Sequence, residues 1–478
     1  MKKLIKNYLK KGFLINLLFI GLFAIISVIY FYPLLSGKQI KQSDIDQFSG
    51  MSKQIVDHRS QYNEEPFWLD NAFLGMPSYQ VLVEYPFDLL DKLDQLIRFL
   101  PRPADYLFVY LVSFFLLLLT MKVKSEYAFI GAIAFAFSTY LIIILGVGHN
   151  TKALAIGYAP IVLAGLFKML DKKYLAGFII GALGLGLQIN ANHYQMTYYF
   201  LMLVGLITII NVFDDFFKKK ITDGLNKIGV VCATILFAIS LNATAILATQ
   251  EYSDFSTRGS SEISINPDGS EKEDLSGLSN EYITEYSYGK LESFNLIVPR
   301  FMGGGSSELI DKDSDFVKEL KNYDNESANI IYQNARLYWG NQPIVAAPAY
   351  IGISVFYIFL LALFFIDKRH LKWIIPAIIF SLTLSWGKNF QFLTDFMINY
   401  FPFYDKFRAV SSIQVIIEFI IPLIATIGLF KFFQTDIVDK EKMKKLLYTS
   451  SIFIFILLVM FLFGNQIFEF KSEFEVFS

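Results

Sequence analysis

Cysteine and charge are both scarce in this chain. Cys232 is the single cysteine among 478 residues, and because it lies within an apolar run we interpret it as a packing residue. One cysteine excludes an intrachain disulfide and a cysteine-based metal cluster. Only 18% of the residues are charged, the formal net charge is -1, and the sequence has no long basic block. These features exclude a nucleic-acid-binding surface.

Apolar and aromatic residues, in contrast, are abundant. Hydrophobic residues make up 54% of the chain and aromatic residues 17%, with 49 phenylalanines, and the mean hydropathy is +0.45. This composition predicts an all-α polytopic membrane protein. Because a membrane helix needs about 20 apolar residues, we predict about eleven transmembrane helices in a single integral membrane domain over residues 1–478. They cover residues 13–35, 104–121, 126–145, 153–170, 174–190, 194–213, 227–248, 344–366, 371–386, 410–432 and 446–464.

The positions of lysine and arginine predict the orientation of these helices. Basic residues accumulate at alternate helix ends, from Lys2 and Lys3 before the first helix to Lys444 and Lys445 before the last. The positive-inside rule makes all of these ends cytoplasmic, and every predicted helix agrees with one orientation. The first helix is too long for a signal peptide and is predicted to be retained. The N-terminus is therefore predicted to be cytoplasmic and the C-terminus extracytoplasmic.

Two loops, residues 36–103 and 249–343, are too long to be simple connectors, and the predicted orientation places both outside the cytoplasm. In the first loop, apolar residues recur at helical spacing from Ile45 to Ile55 and again from Phe87 to Leu100. Such spacing predicts two amphipathic helices. These helices either lie in the membrane interface or cover the protein's own core.

Two carboxylates, Asp44 and Asp46, follow the first predicted transmembrane helix in the sequence S-D-I-D-Q at 43–47. A carboxylate at this position is placed to deprotonate a hydroxyl beside a lipid-borne substrate, so both are candidate catalytic residues. The alternative is that they only solvate the exit of the helix. The pair also offers the hard oxygen ligands that Mg²⁺ or Mn²⁺ prefers, although an extended segment would point the two side chains apart.

Hydrogen-bonding side chains collect at the predicted outer ends of other helices. The sequences G-H-N-T-K at 148–152 and N-A-N-H-Y-Q at 190–195 combine a lysine, histidines and amides, which suit a phosphate or a sugar. Interfacial snorkelling, loop capping and salt bridges are the structural alternatives. Glu418 is the one acid well inside a predicted span, where it serves either a function or a structural hydrogen bond. The candidate substrate-binding residues are His149, Asn150, Lys152, Asn192, His193, Gln195, Glu251, Arg300 and Arg408.

Six short motifs, three of them described above, carry a family resemblance. They are S-D-I-D-Q at 43–47, G-H-N-T-K at 148–152, N-A-N-H-Y-Q at 190–195, E-S-F-N-L-I-V-P-R-F at 292–301, Y-W-G-N-Q-P at 338–343 and K-F-R-A-V-S-S at 406–412. With them the chain resembles, over nearly its whole length, the YfhO-like bacterial membrane proteins, which belong with the class C (GT-C) glycosyltransferases. Members of that family are often longer, with further helices and a C-terminal outer domain.

The resemblance implies a GT-C-like fold in the bacterial cytoplasmic membrane. It also implies an enzyme that moves a sugar from a polyprenyl-phosphate carrier to an extracytoplasmic glycan or polymer of the cell envelope, with membrane lipids as further partners. In class C enzymes an acid of the first outer loop is the general base, and that position falls on Asp44 or Asp46. Two rival functions stay open, a lipid-linked saccharide transporter or flippase and a noncatalytic envelope-assembly protein. The transporter predicts midplane charges and broken helices.

Overall fold

Helices make up almost all of the ordered secondary structure. The computed structural model describes residues 2–259, 265, 268–271, 277–320, 322–434 and 440–468, so parts of the predicted loop 249–343 lie outside the described residues. Its one sheet in these ranges pairs Trp68–Leu69 (β1) with Met76–Pro77 (β2) in antiparallel register. An all-α membrane protein is therefore confirmed as the fold class.

Fewer helices in the structure are long and apolar enough to span a membrane than the sequence predicted. Six described helices qualify, and the bent pair Ser125–Ala136 and Thr139–Val147 adds a seventh if it counts as one span. Three shorter apolar helices, Ala104–Thr120, Tyr174–Asn190 and Ile353–Ala362, coincide with further predicted spans. Because these three are short for a hydrocarbon core of about 30 Å, the count of about eleven is not confirmed.

The contacts divide the chain into two compact units, and the prediction of a single membrane domain stays a prediction. The first unit comprises Met1–Phe137 and Ile144–Leu278, and the second comprises Ser138–Ile143 and Ser279–Ser478. Helix α6 (Thr139–Val147) contributes residues to both units. The other helices of the first unit are α1 (Lys2–Tyr30), α2 (Ser43–Tyr62), α3 (Leu89–Ile97), α4 (Ala104–Thr120), α5 (Ser125–Ala136), α7 (Asn150–Leu170), α8 (Tyr174–Asn190), α9 (Tyr194–Phe217), α10 (Ile221–Leu241) and α11 (Ala243–Ser253).

Helix α7 forms the centre of the first unit. It is apolar around its whole circumference and buried along most of its length, as expected for a helix that touches protein on every side. Small residues permit its close contact with α8. A Cβ atom added to Gly165 would stand 2.4 Å from the Cα of Gly181 and 2.9 Å from the carbonyl oxygen of Gly177. The two backbones therefore meet directly, which is the usual device for packing helices in lipid.

Replacing Gly165 by valine is expected to disrupt this contact. The new side chain would collide with the backbone of α8, which cannot yield as a flexible side chain can, at a cost of at least about 1–3 kcal/mol. Thermal unfolding of the purified protein measures the effect. Gly205→Val in α9 is the matched control, since nothing lies within 4 Å of a Cβ atom at Gly205. Equal losses of stability in the two variants would contradict the importance of the contact.

The two predicted amphipathic helices of the first loop exist as α2 and α3, and both cover the core of their own unit. Ile55 of α2 packs with Leu69 and Met76 from the hairpin. Leu90 of α3 packs with buried residues of α4, α7 and α8. Apolar side chains on the other face of α3 stay exposed, among them Leu89 at 76% and Leu96 at 72%. That second face is available to lipid, as the interface alternative requires.

The second unit is built around α18. Its helices are α12 (Asn280–Thr284), α13 (Asp315–Leu320), α14 (Asn325–Asn334), α15 (Ile353–Ala362), α16 (Lys368–Ser385), α17 (Gln391–Tyr400), α18 (Val415–Gln434) and α19 (Lys440–Ile467). Helix α18 is almost wholly buried and packs against α15 and α16. A 3₁₀ turn, Val410–Gln414, leads into it, and the hydroxyl of Ser381 on α16 donates to the carbonyl of Ile413 at 2.7 Å. By contrast, α19 exposes most of its apolar residues, as a lipid-facing helix does.

Candidate functional site

The two predicted catalytic carboxylates lie in the first turn of α2, where the helix dipole favours negative charge. The start of this helix is held in place by Gln42, whose side-chain amide donates to the carbonyl of Leu145 at 2.5 Å. Residues two positions apart on a helix do not face each other, so Asp44 and Asp46 point in different directions. The segment is helical rather than extended, and the side chains diverge in either case.

Asp44 contacts His149 across a sequence distance of 105 residues. The Oδ2 atom of Asp44 lies 2.5 Å from Nδ1 of His149, and the two side chains keep 42% and 47% of their exposure. Gly148 makes this approach feasible, because its φ of +91° suits glycine and a Cβ atom there would stand 3.0 Å from the Cβ of Gln42. The pair is therefore both preformed and open to a substrate.

Two further predicted residues, Lys152 and His193, lie near this pair. His149 is the N-cap residue of α7 and Lys152 follows one turn later, while His193 caps the start of α9. Burial, the charge of Lys152 and the proximity of His149 lower the pKa of His193 to about 3. Its Nδ1 accepts a hydrogen bond from the backbone N–H of Met196 at 3.4 Å, so the ring proton resides on Nε2. Neutral His193 consequently presents an N–H donor.

The remaining predicted residues of the first unit have more varied surroundings. The Oδ1 atom of Asn150 is buried without a hydrogen-bond partner in the described part of the chain. Asn192 is exposed and adopts a left-handed φ of 58°, and Glu251 is exposed on α11. The amide of Gln195 donates to the hydroxyl of Tyr199 at 2.9 Å. The structure thus brings Asp44, His149, Lys152 and His193 together, with Asn150 beside them in sequence.

The two arginines among the predicted substrate-binding residues, Arg300 and Arg408, belong to the second unit, where protein groups contact them. Arg300 forms an ion pair with Glu308 at 2.8 Å. The guanidinium of Arg408 lies over the ring of Tyr282, 4.9 Å from its centroid, and also bonds the hydroxyl of that tyrosine. Both side chains remain exposed, so these contacts orient the arginines without enclosing them.

A buried network around Glu292 explains two of the sequence motifs. Glu292 is 1% exposed, and its Oε1 accepts from the Tyr338 hydroxyl at 2.7 Å and from the Gln342 amide at 2.8 Å. Its Oε2 accepts from the backbone N–H of Gly289 at 3.0 Å. Burial raises the pKa of Glu292, and these hydrogen bonds oppose that effect. The network joins the motifs at 292–301 and 338–343, so both motifs contribute to the folding of the second unit.

The second unit also contains a cavity of about 470 Å³ that sequence reasoning did not locate. Its walls carry amides, hydroxyls, carboxylates and one lysine, the side-chain types that bind sugar hydroxyls. Asn341 and Pro343, both in the motif at 338–343, gave the only signal for it among the lining residues. The lining residues are Asn280, Glu281, Thr284, Glu285, Asn341, Pro343, Lys388, Gln391 and Asp395.

A divalent-metal site is not apparent around the two aspartates. In the ranges that the structure covers, no group of three His, Cys, Asp or Glu side chains is placed to hold a metal ion. Asp44 contacts His149 rather than Asp46.

No protein-family model, curated protein or solved structure matches the chain. The chemistry of the site therefore has to be argued from its own residues.

The lowered pKa of His193 predicts a pH-dependent stability. Because the folded value of about 3 lies below the ordinary 6.5, the folded state binds fewer protons than the unfolded chain. Wild-type protein should lose stability as the pH falls below about 6.5, whereas His193→Gln lacks this contribution. Melting temperatures of both proteins between pH 8 and pH 5 test this expectation. Parallel curves would show that residue 193 titrates normally in the folded protein.

Proposed function

We propose that the protein is a glycosyltransferase that moves a sugar from a polyprenyl-phosphate carrier to an extracytoplasmic acceptor of the cell envelope. We place the enzyme in the bacterial cytoplasmic membrane. The observation that carries the proposal is the Asp44–His149 pair, with Lys152 and neutral His193 beside it at the starts of α7 and α9. This arrangement combines a base with donors for an anionic leaving group.

The Asp44–His149 pair serves as the general base. With Asp44 accepting the Nδ1 proton of His149, the Nε2 atom of the imidazole is free to accept the proton of the acceptor hydroxyl. The acceptor oxygen bonds to the anomeric carbon while the bond from that carbon to the carrier phosphate breaks. Asp44 stabilises the imidazolium that forms. His149, predicted as a phosphate ligand, thereby takes part in proton transfer.

The leaving polyprenyl phosphate binds to the cationic part of the site. Lys152 supplies a positive charge, and His193 supplies the Nε2–H donor that follows from its bond to Met196. Both residues lie at the start of a helix, where unpaired N–H groups and the helix dipole favour phosphate. Charge that develops on the phosphate oxygen is thus stabilised as the glycosidic bond breaks.

The decisive experiment supplies purified protein in lipid nanodiscs with a panel of polyprenyl-phosphate sugars. Binding of the donor and release of sugar are measured for wild type and for Lys152→Met. The proposal expects release by wild type, and weaker donor binding with slower release in the variant. Tight binding without release or transfer to any acceptor would favour the transporter. Absence of binding would favour a noncatalytic assembly protein.

Two observations favour the transporter as the second candidate. Helices α5 and α6 form a pair bent by 54°, as a broken span or a re-entrant loop would, and Glu418 is an acid buried in a membrane helix. Broken helices and buried acids accompany transport sites. Uptake of a fluorescent polyprenyl-phosphate sugar across proteoliposome membranes tests this alternative directly.

A further inference from the structure

Glu418 is a completely buried acid with only part of its hydrogen-bonding capacity used. It lies in α18 with 0% exposure, inside the apolar span Val410–Gln434. Its Oε2 accepts from the hydroxyl of Ser138 at 2.8 Å. Its Oε1 is buried and has no hydrogen-bond partner among the described residues. An unpaired carboxylate oxygen in such a place is costly unless something positive or protic binds it.

A second unpaired acceptor lies one helical turn away. Gln414 is 4% exposed, and its Oε1 is likewise buried without a partner in the described part of the chain. Gln414 ends the 3₁₀ turn that runs directly into α18, and residues four apart on a helical segment project from about the same face, so we expect the side chains of Gln414 and Glu418 to be neighbours. Pro422 provides no N–H for the backbone carbonyl of Glu418, so that carbonyl lacks its usual partner within the helix. The described residues thus leave both side-chain Oε1 atoms unpaired.

We propose that Glu418, Gln414 and Ser138 form a binding site for a small monovalent cation, either H⁺ or Na⁺. A proton on Oε1 of Glu418 would be donated to Oε1 of Gln414, and a sodium ion would be ligated by the same oxygens. Each ion satisfies both unpaired atoms at once. The site lies within the second unit, and it stands independently of the transferase proposed for Asp44 and His149.

Glu292 shows why the inference concerns Glu418 in particular. Both acids are buried in the second unit, but Glu292 receives hydrogen bonds from Tyr338, Gln342 and Gly289. Both carboxylate oxygens of Glu292 therefore have protein partners. Among the described residues Glu418 receives one bond, from Ser138, so its Oε1 is left for a ligand.

Among the described residues, the ionisable groups around Glu418 supply no compensating charge. Tyr140 and Tyr288 lie close enough to interact with it, and Tyr288 also interacts with Glu292 and forms a hydrogen bond with the side chain of Gln414. On α15, Tyr357 is bonded to Ser450 at 2.6 Å. The Asp367–Lys431 pair joins α18 thirteen residues, or about 20 Å, beyond Glu418. The basic residues of α16 lie near its start, about 14 Å or more along the helix from Ser381, and they are Lys368, Arg369, His370 and Lys372.

Infrared difference spectroscopy of the full-length protein in nanodiscs tests the proposal. Spectra report the protonated carboxyl band while the pH is raised in choline buffer, or while NaCl replaces choline chloride at constant pH. A proton site loses this band as the pH rises, with no response to sodium. A sodium site loses the band when sodium is added. A carboxyl that responds to neither change would overturn the proposal, because Glu418 would then hold only a fixed structural hydrogen bond.

Three variants assign the signal. Glu418→Gln should abolish the responding band, whereas Glu292→Gln, a change at the matched buried acid, should leave the response intact. Gln414→Leu should weaken cation binding by about tenfold, the effect of one lost hydrogen bond, so that deprotonation begins about one pH unit lower or the half-saturating sodium concentration rises. Size-exclusion chromatography verifies that each variant is folded. A folded Gln414→Leu protein with unchanged affinity would also overturn the proposed site.

Discussion

Asp44→Asn is expected to lower the rate of sugar transfer by about 10²- to 10⁴-fold, the usual range for loss of general-base assistance. Asparagine keeps the shape of the side chain but cannot stabilise the imidazolium of His149, which lies 2.5 Å from the aspartate oxygen. Donor binding should change little, because Lys152 and His193, the proposed phosphate ligands, are unchanged in this variant. Single-turnover transfer from a polyprenyl-phosphate sugar separates the chemical step from binding and product release.

Asp46→Asn is the matched control for this experiment. Asp46 lies in the same helical turn with the same charge, but it is exposed and directed away from Asp44. Its replacement should leave the rate nearly unchanged. If Asp46→Asn abolishes transfer while Asp44→Asn does not, the assignment of the base is wrong. Full activity of the double variant would exclude both aspartates as the base.

A second variant tests whether Asp44 and His149 act as a unit. His149→Ala alone should cost about as much as Asp44→Asn alone, and the double variant should be little worse than either. Multiplicative losses would indicate that the two residues act separately, with His149 as the phosphate ligand that its sequence motif suggests. The same series therefore distinguishes the two roles of the histidine.

Local sequence patterns predicted the helices well but not their partners. Apolar runs and helical spacing predicted α4, α7, α9 and the two amphipathic helices α2 and α3, because those signals depend on neighbouring residues. The Asp44–His149 contact joins residues 105 positions apart and depends on how Gln42 fastens α2 to Leu145. No local pattern encodes such a distance. The only sequence signal for the contact was that both residues lie in polar segments predicted at the outer ends of helices.

The arginines show that residue type alone does not reveal which charges matter in the folded protein. Arg300 and Arg408 were predicted as substrate-binding residues, with salt bridges as the structural alternative, and the structure shows each with a protein partner, Glu308 and Tyr282. Arg98 was not singled out, because it follows an amphipathic helix as one charge among several. It nevertheless makes the most buried ion pairs of the described first unit, with exposures of 10% or less for all three side chains. Burial decides the importance of a charge, and the sequence does not display burial.

Arg98→Met is expected to destabilise the protein by about 3–5 kcal/mol, the cost of breaking a buried ion pair. Arg98 bonds Asp94 at the end of α3 and Asp105 at the start of α4, the latter at 3.1 Å. Asp94 also accepts from the Tyr158 hydroxyl of α7 at 2.6 Å. The variant would leave two carboxylates, 4% and 1% exposed, without their cation. Thermal unfolding and the yield of monodisperse protein measure the loss.

Arg59→Met is the matched control, because Arg59 also bonds two carboxylates, Glu65 at 2.8 Å and Glu84 at 2.7 Å. Its side chain keeps 23% exposure, and Glu65 and Glu84 keep 16% and 68%, so water reaches the remaining charges better than it reaches Asp94 and Asp105, and the loss should be about 1 kcal/mol or less. Adding Asp94→Asn and Asp105→Asn to Arg98→Met should recover part of the stability, since neutral amides need no counterion. If the triple variant is as unstable as Arg98→Met, the packing of the arginine stem, rather than its charge, holds α3 against α4 and α7.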